Sequence, residues 1–354
     1  PYQGSAVPEE PIRLTRLTQA GGGGSKVAPD VLRRILGGIQ PGVIPPQLLI
    51  GRENGDDAAV YQIGERQAIV ATTDFFTPIV DDPFDFGRVA ATAALSNLYA
   101  MGATPLFALA LVGMPVSVLP LEAISGILEG GESVCRKAGI PVAGGHTIDS
   151  LEPIYGLVVI GLVEPARLKR NSAARPGDRL ILGKPLGTGI YGTALKRGEL
   201  GVGDYEAMIA SVTRINMPGP VLACLDGVHA MTDVAGFGLL GHLLGMCRRS
   251  GVGACVRFAA LPLLARALAL ADGGCAGDAS RRNWESAGEH VTLAEGIAGK
   301  ERAILTDPQT SGGLLVSCAP DTVTEVLSIF LQQGFSHVSV IGEIVAGEPA
   351  IAVS

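Results

Sequence analysis

Residues 231–242 decide the fold, and they read MTDVAGFGLLGH. A short apolar stretch ends at Asp233, and glycines then open a run of apolar residues that predicts a helix. Strand, turn and helix in this order indicate an α/β unit with an acidic residue beside a helix N-terminus, where an anion and its metal ion can bind. The alternative is an N-cap aspartate on a core helix. Gly236, Gly238 and Gly241 also match GxGxxG, but no acidic residue ends a strand about 20 residues later, so a dinucleotide site is not favoured.

The same alternation of strand and helix extends outward through both halves of the chain. Short apolar runs bounded by turn residues predict strands, and longer periodic or small-residue segments predict helices. The predicted strands are 58–61, 68–71, 106–112, 154–163, 179–182, 230–232, 256–258, 303–306, 313–317, 338–341 and 350–353, with a strand edge at Val142. The predicted helices are 27–39, 88–101, 121–138, 205–214, 261–271 and 322–333, with another that ends near Cys247. The pattern predicts two α/β domains that divide near residue 165.

The start of the chain has a different character. Residues 1–25 lack apolar periodicity and end in GGGGS at 21–25, which predicts a flexible segment. We therefore divide the chain into a Gly-rich segment with its helix (1–50), an N-terminal domain (51–165) and a C-terminal α/β domain (166–354). Residues 1–10 contain proline and glutamate and begin with Pro1, which is compatible with a linker to a fused or separate N-terminal partner domain.

Composition excludes several classes of protein. Of 354 residues, 47% are apolar and 17% charged, so the chain can bury a large core. A net charge of −7 without a basic block disfavours nucleic-acid binding. Six dispersed cysteines without a CxxC or Cys/His cluster disfavour a zinc site and a disulfide framework. The longest uncharged run, 89–121, is interrupted by glycine and prolines, so no membrane helix is predicted. The expected location is the cytoplasm.

Carboxylates at predicted strand ends are the main candidate ligands. Asp56 and Asp57 follow Gly55 at the mouth of a strand, and Asp74 lies at the C-terminal end of the next. Carboxylate oxygens beside backbone N–H groups suit Mg²⁺ that also binds phosphate oxygens, and ligands of α/β proteins bind outside strand ends. For each residue alone, an Asx turn or a plain turn residue is the alternative.

Two further segments are rich in glycine or polar residues. Residues 143–149 (AGGHTID) form a predicted loop in which glycines let the backbone approach a phosphate, although glycine pairs more often only make turns. Residues 307–313 (DPQTSGG) form a compact polar loop to which composition assigns no chemistry. Because the Walker A spacing is absent, ATP held through Mg²⁺ ions on scattered carboxylates fits better than a P-loop or a Rossmann site.

Together these segments resemble selenophosphate synthetase (selenide, water dikinase), a family of the aminoimidazole ribonucleotide synthetase-like superfamily. The resemblance extends from about residue 12 to the C-terminus. The matching positions are Lys26, 56–61, 72–76, 143–146, 231–242 and 307–313. It implies a two-domain α/β (α+β) fold and a homodimer in which the N-terminal domains pair through their sheets. The implied reaction is ATP + selenide + water giving selenophosphate, AMP and orthophosphate.

The resemblance also implies roles for individual residues. Lys26 would bind the ATP phosphates and support catalysis, and the N-terminal domain would bind ATP and Mg²⁺. The implied Mg²⁺ ligands are Asp57, Asp74, Asn97 and Asp233. The implied ATP contacts are Asn54, Gly55, Asp56, Asp74, Asn97, Gly145, His146 and Thr147, the last three from the same or the partner chain. Positioning and charge neutralisation are what phosphoryl transfer requires, so these residue types agree with the implied reaction.

Two positions depart from the family pattern. The family has a reactive Cys or selenocysteine three residues before Lys26, where this chain has Gly23, and usually Asp where this chain has Asn97. Glycine supplies no nucleophile, and Asn supplies a ligand oxygen without charge. Two alternatives therefore stay open: a paralogue that binds ATP without selenide chemistry, and a phosphotransferase with another substrate. A Gly23→Cys substitution is expected to raise the yield of selenophosphate if the missing thiol limits the reaction.

Overall fold

The computed structural model describes residues 12–27, 29–39, 42–52 and 55–354. These residues form two mixed β-sheets. One sheet lies before the predicted boundary at residue 165 and the other after it. The elements of the N-terminal half are α1 (Pro29–Gly37), β1 (Leu48–Ile50), β2 (Ala59–Gly64), β3 (Gln67–Phe76), α2 (Pro83–Ala100), β4 (Thr104–Met114), α3 (Leu121–Lys137), β5 (Val142–Asp149) and β6 (Ile154–Val163).

The C-terminal half alternates strands and helices in the same way. Its strands are β7 (Arg179–Leu182), β8 (Val228–Asp233), β9 (Gly253–Val256), β10 (Val291–Leu293), β11 (Leu314–Cys318), β12 (Ser339–Val345) and β13 (Ile351–Val353). Its helices are α4 (Thr188–Arg197), α5 (Val202–Val212), α6 (Pro218–Leu222), α7 (Gly238–Ser250), α8 (Ala267–Leu270), α9 (Asp278–Ala287), α10 (Lys300–Thr306) and α11 (Val323–Gln332).

The first sheet has the strand order β1-β2-β3-β6-β4-β5, with β4 and β5 parallel and the other neighbours antiparallel. Helices α2 and α3 pack together, and α2 also packs on β3 and β6. Burial alternates along β3, because successive side chains of a strand point to opposite faces. The opposite face is open in the single chain and exposes apolar side chains, and we call it the outer face (Tyr61, Phe75 and Ile148).

The second sheet has the order β10-β13-β9-β12-β7-β11-β8, so β8 is an edge strand beside β11. Asp233, the last residue of β8, pairs with Leu314. The chain then turns through a glycine with positive φ, Gly238, into α7. The sequence prediction of a strand, an aspartate and a Gly-opened helix is confirmed here. This edge of the second sheet faces the first sheet, because the side chain of Thr232 reaches the carboxylate of Asp57.

The Gly-rich N-terminal segment packs between the two halves. Residues Gly22–Ser25 form a short 3₁₀ helix in which Gly22 and Gly23 are buried. The N–H of Gly22 donates to the Thr77 carbonyl oxygen at 2.8 Å, and the N–H of Gly23 donates to the Thr310 hydroxyl at 2.9 Å. In the structure this part of the segment has a defined, packed conformation. The flexibility that its sequence predicts stays a prediction.

Four local predictions were wrong. The predicted strand at 256–258 overlaps β9 only at Val256, and Phe258 begins a short 3₁₀ helix. Residues 303–306 are helical and lie in α10, because so short a run fits a buried strand and a buried helix equally well. Residues 261–271 contain only the short helix α8, since Pro262 disfavours a helix near the start of the run. Residues 143–149 all lie in β5 and do not form the predicted loop. Within the residues described, no helix is long and apolar enough to cross a membrane.

Candidate active site

A cavity of about 450 Å³ opens between the two halves of the chain, and six of the twelve predicted site residues line it. The walls come from the turn before β2, helix α2, the end of β8, helices α7 and α9, and Lys26 of the N-terminal segment. The lining residues that matter below are Lys26, Gly55, Asp56, Asp57, Asn97, Asn171, Thr232, Asp233, His242, Arg248 and Arg249. Residues far apart in the sequence therefore meet in one cleft.

Asp57 and Asp233 form a buried pair of carboxylates in this cavity. Oδ1 of Asp57 accepts a hydrogen bond from Thr232 at 3.0 Å, whereas its Oδ2 has no hydrogen-bond partner among the described residues. Burial and the neighbouring Asp233 raise the pKa of Asp57 well above its usual range. Burial also raises the pKa of Asp233, against the hydrogen bond from Ser96 and the charge of Lys26. An added cation would relieve this repulsion and occupy the unused oxygen.

Lys26 lies on the other side of Asp233. Its Nζ is 3.1 Å from Oδ2 of Asp74, two residues before the C-terminal end of β3. Burial alone would lower the pKa of Lys26, but the carboxylates of Asp74, Asp233 and Asp57 raise it, so the side chain is held as an ammonium ion. Lys26 is therefore a fixed positive charge among three carboxylates.

The turn before β2 is fixed by the start of the second half. Asp56 accepts a hydrogen bond from the N–H of Asn171 at 2.9 Å, and the Asn171 side chain donates to the Gly55 carbonyl oxygen at 3.1 Å. Burial raises the pKa of Asp56, while Asn171 and Arg249 oppose that shift. Gly55 has a φ of 62° and lies against the guanidinium of Arg249, so a larger residue would meet both strain and a close contact.

A second, much smaller cavity lies behind Lys26. It offers only about 10 Å³ for the centre of a water molecule, which is room for about one water. Its walls include Gly23, Lys26, Asp74, Asp233, Gln309, Thr310 and Ser311. Lys26 and Asp233 line both cavities. The predicted residues Gly23 and Asp74 therefore lie beside this small cavity, which adjoins the large one.

The predicted residues do not all converge in one chain. Six of the predicted site residues line the large cavity: Lys26, Gly55, Asp56, Asp57, Asn97 and Asp233. Among the described residues, Gly145, His146 and Thr147 line neither cavity and lie exposed on the edge strand β5. Asn54 lies outside the described residues. His242 accepts a hydrogen bond from the N–H of Ala235 at 3.0 Å and stacks on Phe237.

The carboxylates of the large cavity fit Mg²⁺ that is only partly ligated by protein. In the parts of the chain that the structure describes, no group of three or more His, Cys, Asp and Glu side chains forms a protein-only cage. Mg²⁺ commonly binds through one or two carboxylates and completes its shell with water and phosphate oxygens. The unpartnered oxygen of Asp57, facing Asp233, fits that mode of binding.

Comparison with known proteins agrees with this architecture. The family model named AIR synthase related protein, N-terminal domain, matches residues 55–163. The family model for the C-terminal domain of the same proteins matches residues 175–353. The chain is 66% identical over 347 residues to the selenide, water dikinase of Dechloromonas aromatica, covering 98% of this chain and 100% of that protein. The chain belongs to the selenide, water dikinase family.

Other relatives agree in family and fold. The selenide, water dikinase of Pseudomonas straminea is 58% identical over 342 residues, with 96% of each chain covered. Thiamine-monophosphate kinase from Stenotrophomonas maltophilia has a similar structure with a TM-score of 0.63 at 23% identity, covering 87% of this chain and 92% of that one. The predicted family and two-domain α/β fold of this dikinase family member are thus confirmed.

Sequence reasoning missed several residues of the candidate site. Asn171, Arg248 and Arg249 line the large cavity, and Ser311 lines the small one. The adjacent arginines in the last turn of α7, the helix that the deciding segment opens, were an available signal for an anion site. Ser311 carried no such signal, because its position depends on contacts formed only in the folded chain.

Proposed function

We propose that the protein is an ATP-dependent selenide, water dikinase that converts ATP, selenide and water into selenophosphate, AMP and orthophosphate. The observation that carries this proposal is the charged Lys26 between Asp74 and Asp233, at the wall of a cavity in a chain 66% identical to a selenide, water dikinase. ATP would bind in the large cavity, with its phosphates toward Lys26. The selenide, water dikinases that this chain resembles match it over nearly its full length, at 66% and 58% identity. This similarity does not favour a paralogue without selenide chemistry.

Two magnesium-binding roles form part of the proposal. Asp57 and Asp233 would hold one Mg²⁺, and Asp74 and Asn97 would contribute to the metal and nucleotide site. Bound Mg²⁺ would neutralise phosphate charge and orient the reacting groups. Lys26 would keep a fixed positive charge at the phosphates, and Gly55 and Asp56 would line the nucleotide. The raised pKa values of Asp57 and Asp233 support cation binding, because a divalent cation removes the cost of two adjacent buried carboxylates.

A homodimer is the second element of the proposal. The outer face leaves Phe75 and Ile148 about half exposed, at 51% and 57%, and contiguous apolar surface of this kind often marks an interface. Gly145, His146 and Thr147 lie on the exposed edge of the same sheet, so a second copy of the chain would supply them to its partner's ATP. Sedimentation of Phe75→Asp beside the unmodified chain tests this: the variant should sediment as a monomer, and an unchanged dimer would contradict the proposed interface.

The test of the reaction is anaerobic phosphorus NMR with ATP, Mg²⁺ and selenide. A selenophosphate signal, with AMP and orthophosphate in equal amounts, is expected only when selenide is present. Lys26→Met should lower the rate of selenophosphate formation at least 100-fold, because it deletes a positive charge beside the phosphoryl group that is transferred. Arg34→Met, on the last turn of the exposed helix α1, is a matched control that should retain the wild-type rate. Hydrolysis of ATP without selenophosphate would contradict the proposal.

A further inference from the structure

The small cavity behind Lys26 contains an unsatisfied hydroxyl group. Ser311 is 3% exposed, and its Oγ has no hydrogen-bond partner among the residues described. A buried hydroxyl without a partner destabilises the folded chain, so a bound ligand that accepts its hydrogen bond would be favoured. Ser311 lines the cavity together with Gly23, Lys26, Asp74 and Asp233, so a small molecule bound there would have this hydroxyl as a neighbour.

The backbone at Ser311 is also strained. Its φ is 52°, and it is the only non-glycine residue with positive φ in the described ranges. The surrounding contacts hold this conformation: Lys184 Nζ donates to the Ser311 carbonyl oxygen at 2.8 Å, and Asn216 donates to the next carbonyl, of Gly312, at 2.9 Å. A strained residue that its surroundings hold in place is typical of functional sites.

Size and charge define the ligand. The cavity has room for about one water, so it admits a species with one non-hydrogen atom and excludes a phosphate group. Its walls carry one ammonium group, of Lys26, and two carboxylates, of Asp74 and Asp233. Carboxylates accept hydrogen bonds, so they favour a ligand that carries hydrogen, and the Ser311 hydroxyl can donate to that ligand's lone pair.

We infer that this cavity is the binding site of a monatomic chalcogen nucleophile, hydrogen selenide or water, and that Ser311 positions it for attack on a phosphoryl group held in the large cavity. The inference rests on the proposed function. Lys26 and Asp233 line both cavities, so they form the boundary across which nucleophile and phosphoryl group meet. A fixed approach of this kind supplies much of the rate in phosphoryl transfer.

The group transfer at this site balances as follows. A lone pair of the selenium or oxygen atom forms the new bond to phosphorus, and the bridging P–O bond of the nucleotide breaks with its electron pair leaving on the nucleotide oxygen. The proton that the nucleophile loses passes to solvent. Attack by hydrogen selenide gives selenophosphate, and attack by water gives orthophosphate. No oxidant or reductant takes part.

A test that needs no turnover comes first. Crystals of the unmodified protein are soaked anaerobically with selenide, and anomalous data are collected at the selenium absorption edge. A selenium peak within hydrogen-bond distance of Ser311 Oγ identifies selenide as the occupant, and an ordered water at the same place identifies water. A cavity without either would overturn the inference even if the protein makes selenophosphate. Binding of selenium in the absence of selenophosphate formation would instead overturn only the proposed function.

The second test uses Ser311→Gly, because glycine accepts a φ of 52° without strain and removes only the hydroxymethyl group. If selenide is the occupant, the KM for selenide should rise at least tenfold while the affinity for a non-hydrolysable ATP analogue stays unchanged. If water is the occupant, ADP should accumulate and AMP should fall relative to selenophosphate. Ser336→Gly, the same change at an exposed serine, is the control. Unchanged selenide KM and unchanged product ratio, or an equal loss of ATP-analogue affinity, would contradict the assignment.

Discussion

The two cavities that share Lys26 as a wall are built in different ways. The large cavity has carboxylates without sufficient partners: Asp57 and Asp233 raise the cost of each other's charge, and one oxygen of Asp57 is unused. In the small cavity the carboxylate of Asp74 is paired with Lys26, and the unused group is the neutral hydroxyl of Ser311. The first arrangement suits a cation that carries phosphates, and the second suits a small hydrogen-bearing nucleophile.

The largest expected effect comes from the carboxylate pair. Asp57→Asn removes one charge of the pair and should lower turnover at least 100-fold, because the Mg²⁺ that we propose for this pair would lose a ligand charge. The same substitution should raise the unfolding temperature by a few degrees without Mg²⁺, since it ends repulsion between buried carboxylates. Turnover and thermal unfolding are measured for this variant and for Asp321→Asn, an exposed control. A variant that is both inactive and less stable would show that the pair is structural.

The next effect concerns the loop that walls the small cavity. Burial raises the pKa of Asp307 to about 7, against hydrogen bonds from Gly189 and Gln309. In the unfolded chain the pKa of Asp307 is near 3.8. Between pH 3.8 and about pH 7, Asp307 is therefore protonated in the folded chain and ionised in the unfolded chain. The stability from Asp307 is therefore complete below pH 3.8 and is lost as pH rises through about 7.

Urea unfolding at pH 5 and pH 7 measures this contribution. Relative to Asp307→Asn, the unmodified chain should lose about 2 kcal/mol of unfolding free energy between these values, because one pKa unit corresponds to about 1.4 kcal/mol. Asn preserves an oxygen that accepts the hydrogen bond from the Gly189 N–H, at 2.9 Å in the structure. If the unfolding free energies of the two proteins change equally between pH 5 and pH 7, Asp307 does not titrate in this range.

A third prediction separates neighbouring glycines of the N-terminal segment. A Cβ atom on Gly23 would overlap the Gln309 carbonyl oxygen, whereas one on Gly24 would lie 3.7 Å from Ala279 and 3.8 Å from Pro308. The structure therefore reverses the expectation from sequence: Gly23→Cys should displace the segment and lower turnover about tenfold, because Lys26 loses its position. Gly24→Cys should stay within twofold of the unmodified chain. Higher selenophosphate yield from Gly23→Cys would restore the original expectation.

The smallest effect is expected at Asn97, the amide that we propose as a metal ligand in the large cavity. Asn97 is buried, and its Nδ2 donates to the Thr72 hydroxyl at 3.2 Å. Asn97→Asp adds a negative charge and should lower the Mg²⁺ concentration for half-maximal turnover two- to threefold. A titration of rate against Mg²⁺ for both proteins measures it. An unchanged titration would mean that position 97 does not contact the metal.

Local patterns were sufficient wherever one element carried the signal. Residues 121–138, 154–163 and 322–333 match α3, β6 and α11 to within one residue at each end. Period and turn residues decide such elements before any tertiary contact is made. The same reasoning failed at 303–306, where three apolar residues and a threonine fit a strand and a buried helix equally well. Only the contacts of α10 with α7 and α9 decide between them.

The candidate site divides along the same line. Acidic residues at strand ends marked Asp57, Asp74 and Asp233 without any structure, because strand ends are where α/β proteins place ligands. Which carboxylate pairs with Lys26 was not predictable, since it depends on how the N-terminal segment packs between the halves. The unsatisfied hydroxyl of Ser311 is equally invisible in sequence, because a serine in a polar loop ordinarily contacts water.

The sequence by itself determined the family, the alternation of strands and helices, and the acidic residues of the site, since short-range pattern and residue chemistry are sufficient for these. Tertiary structure alone decided that Asp57 faces Asp233 while Asp74 faces Lys26, and that Gly23 packs too closely to carry a side chain. The physical reason is that charge, burial and close packing are properties of neighbours in space. In this protein those neighbours come from segments up to 287 residues apart, as Gly23 and Thr310 are.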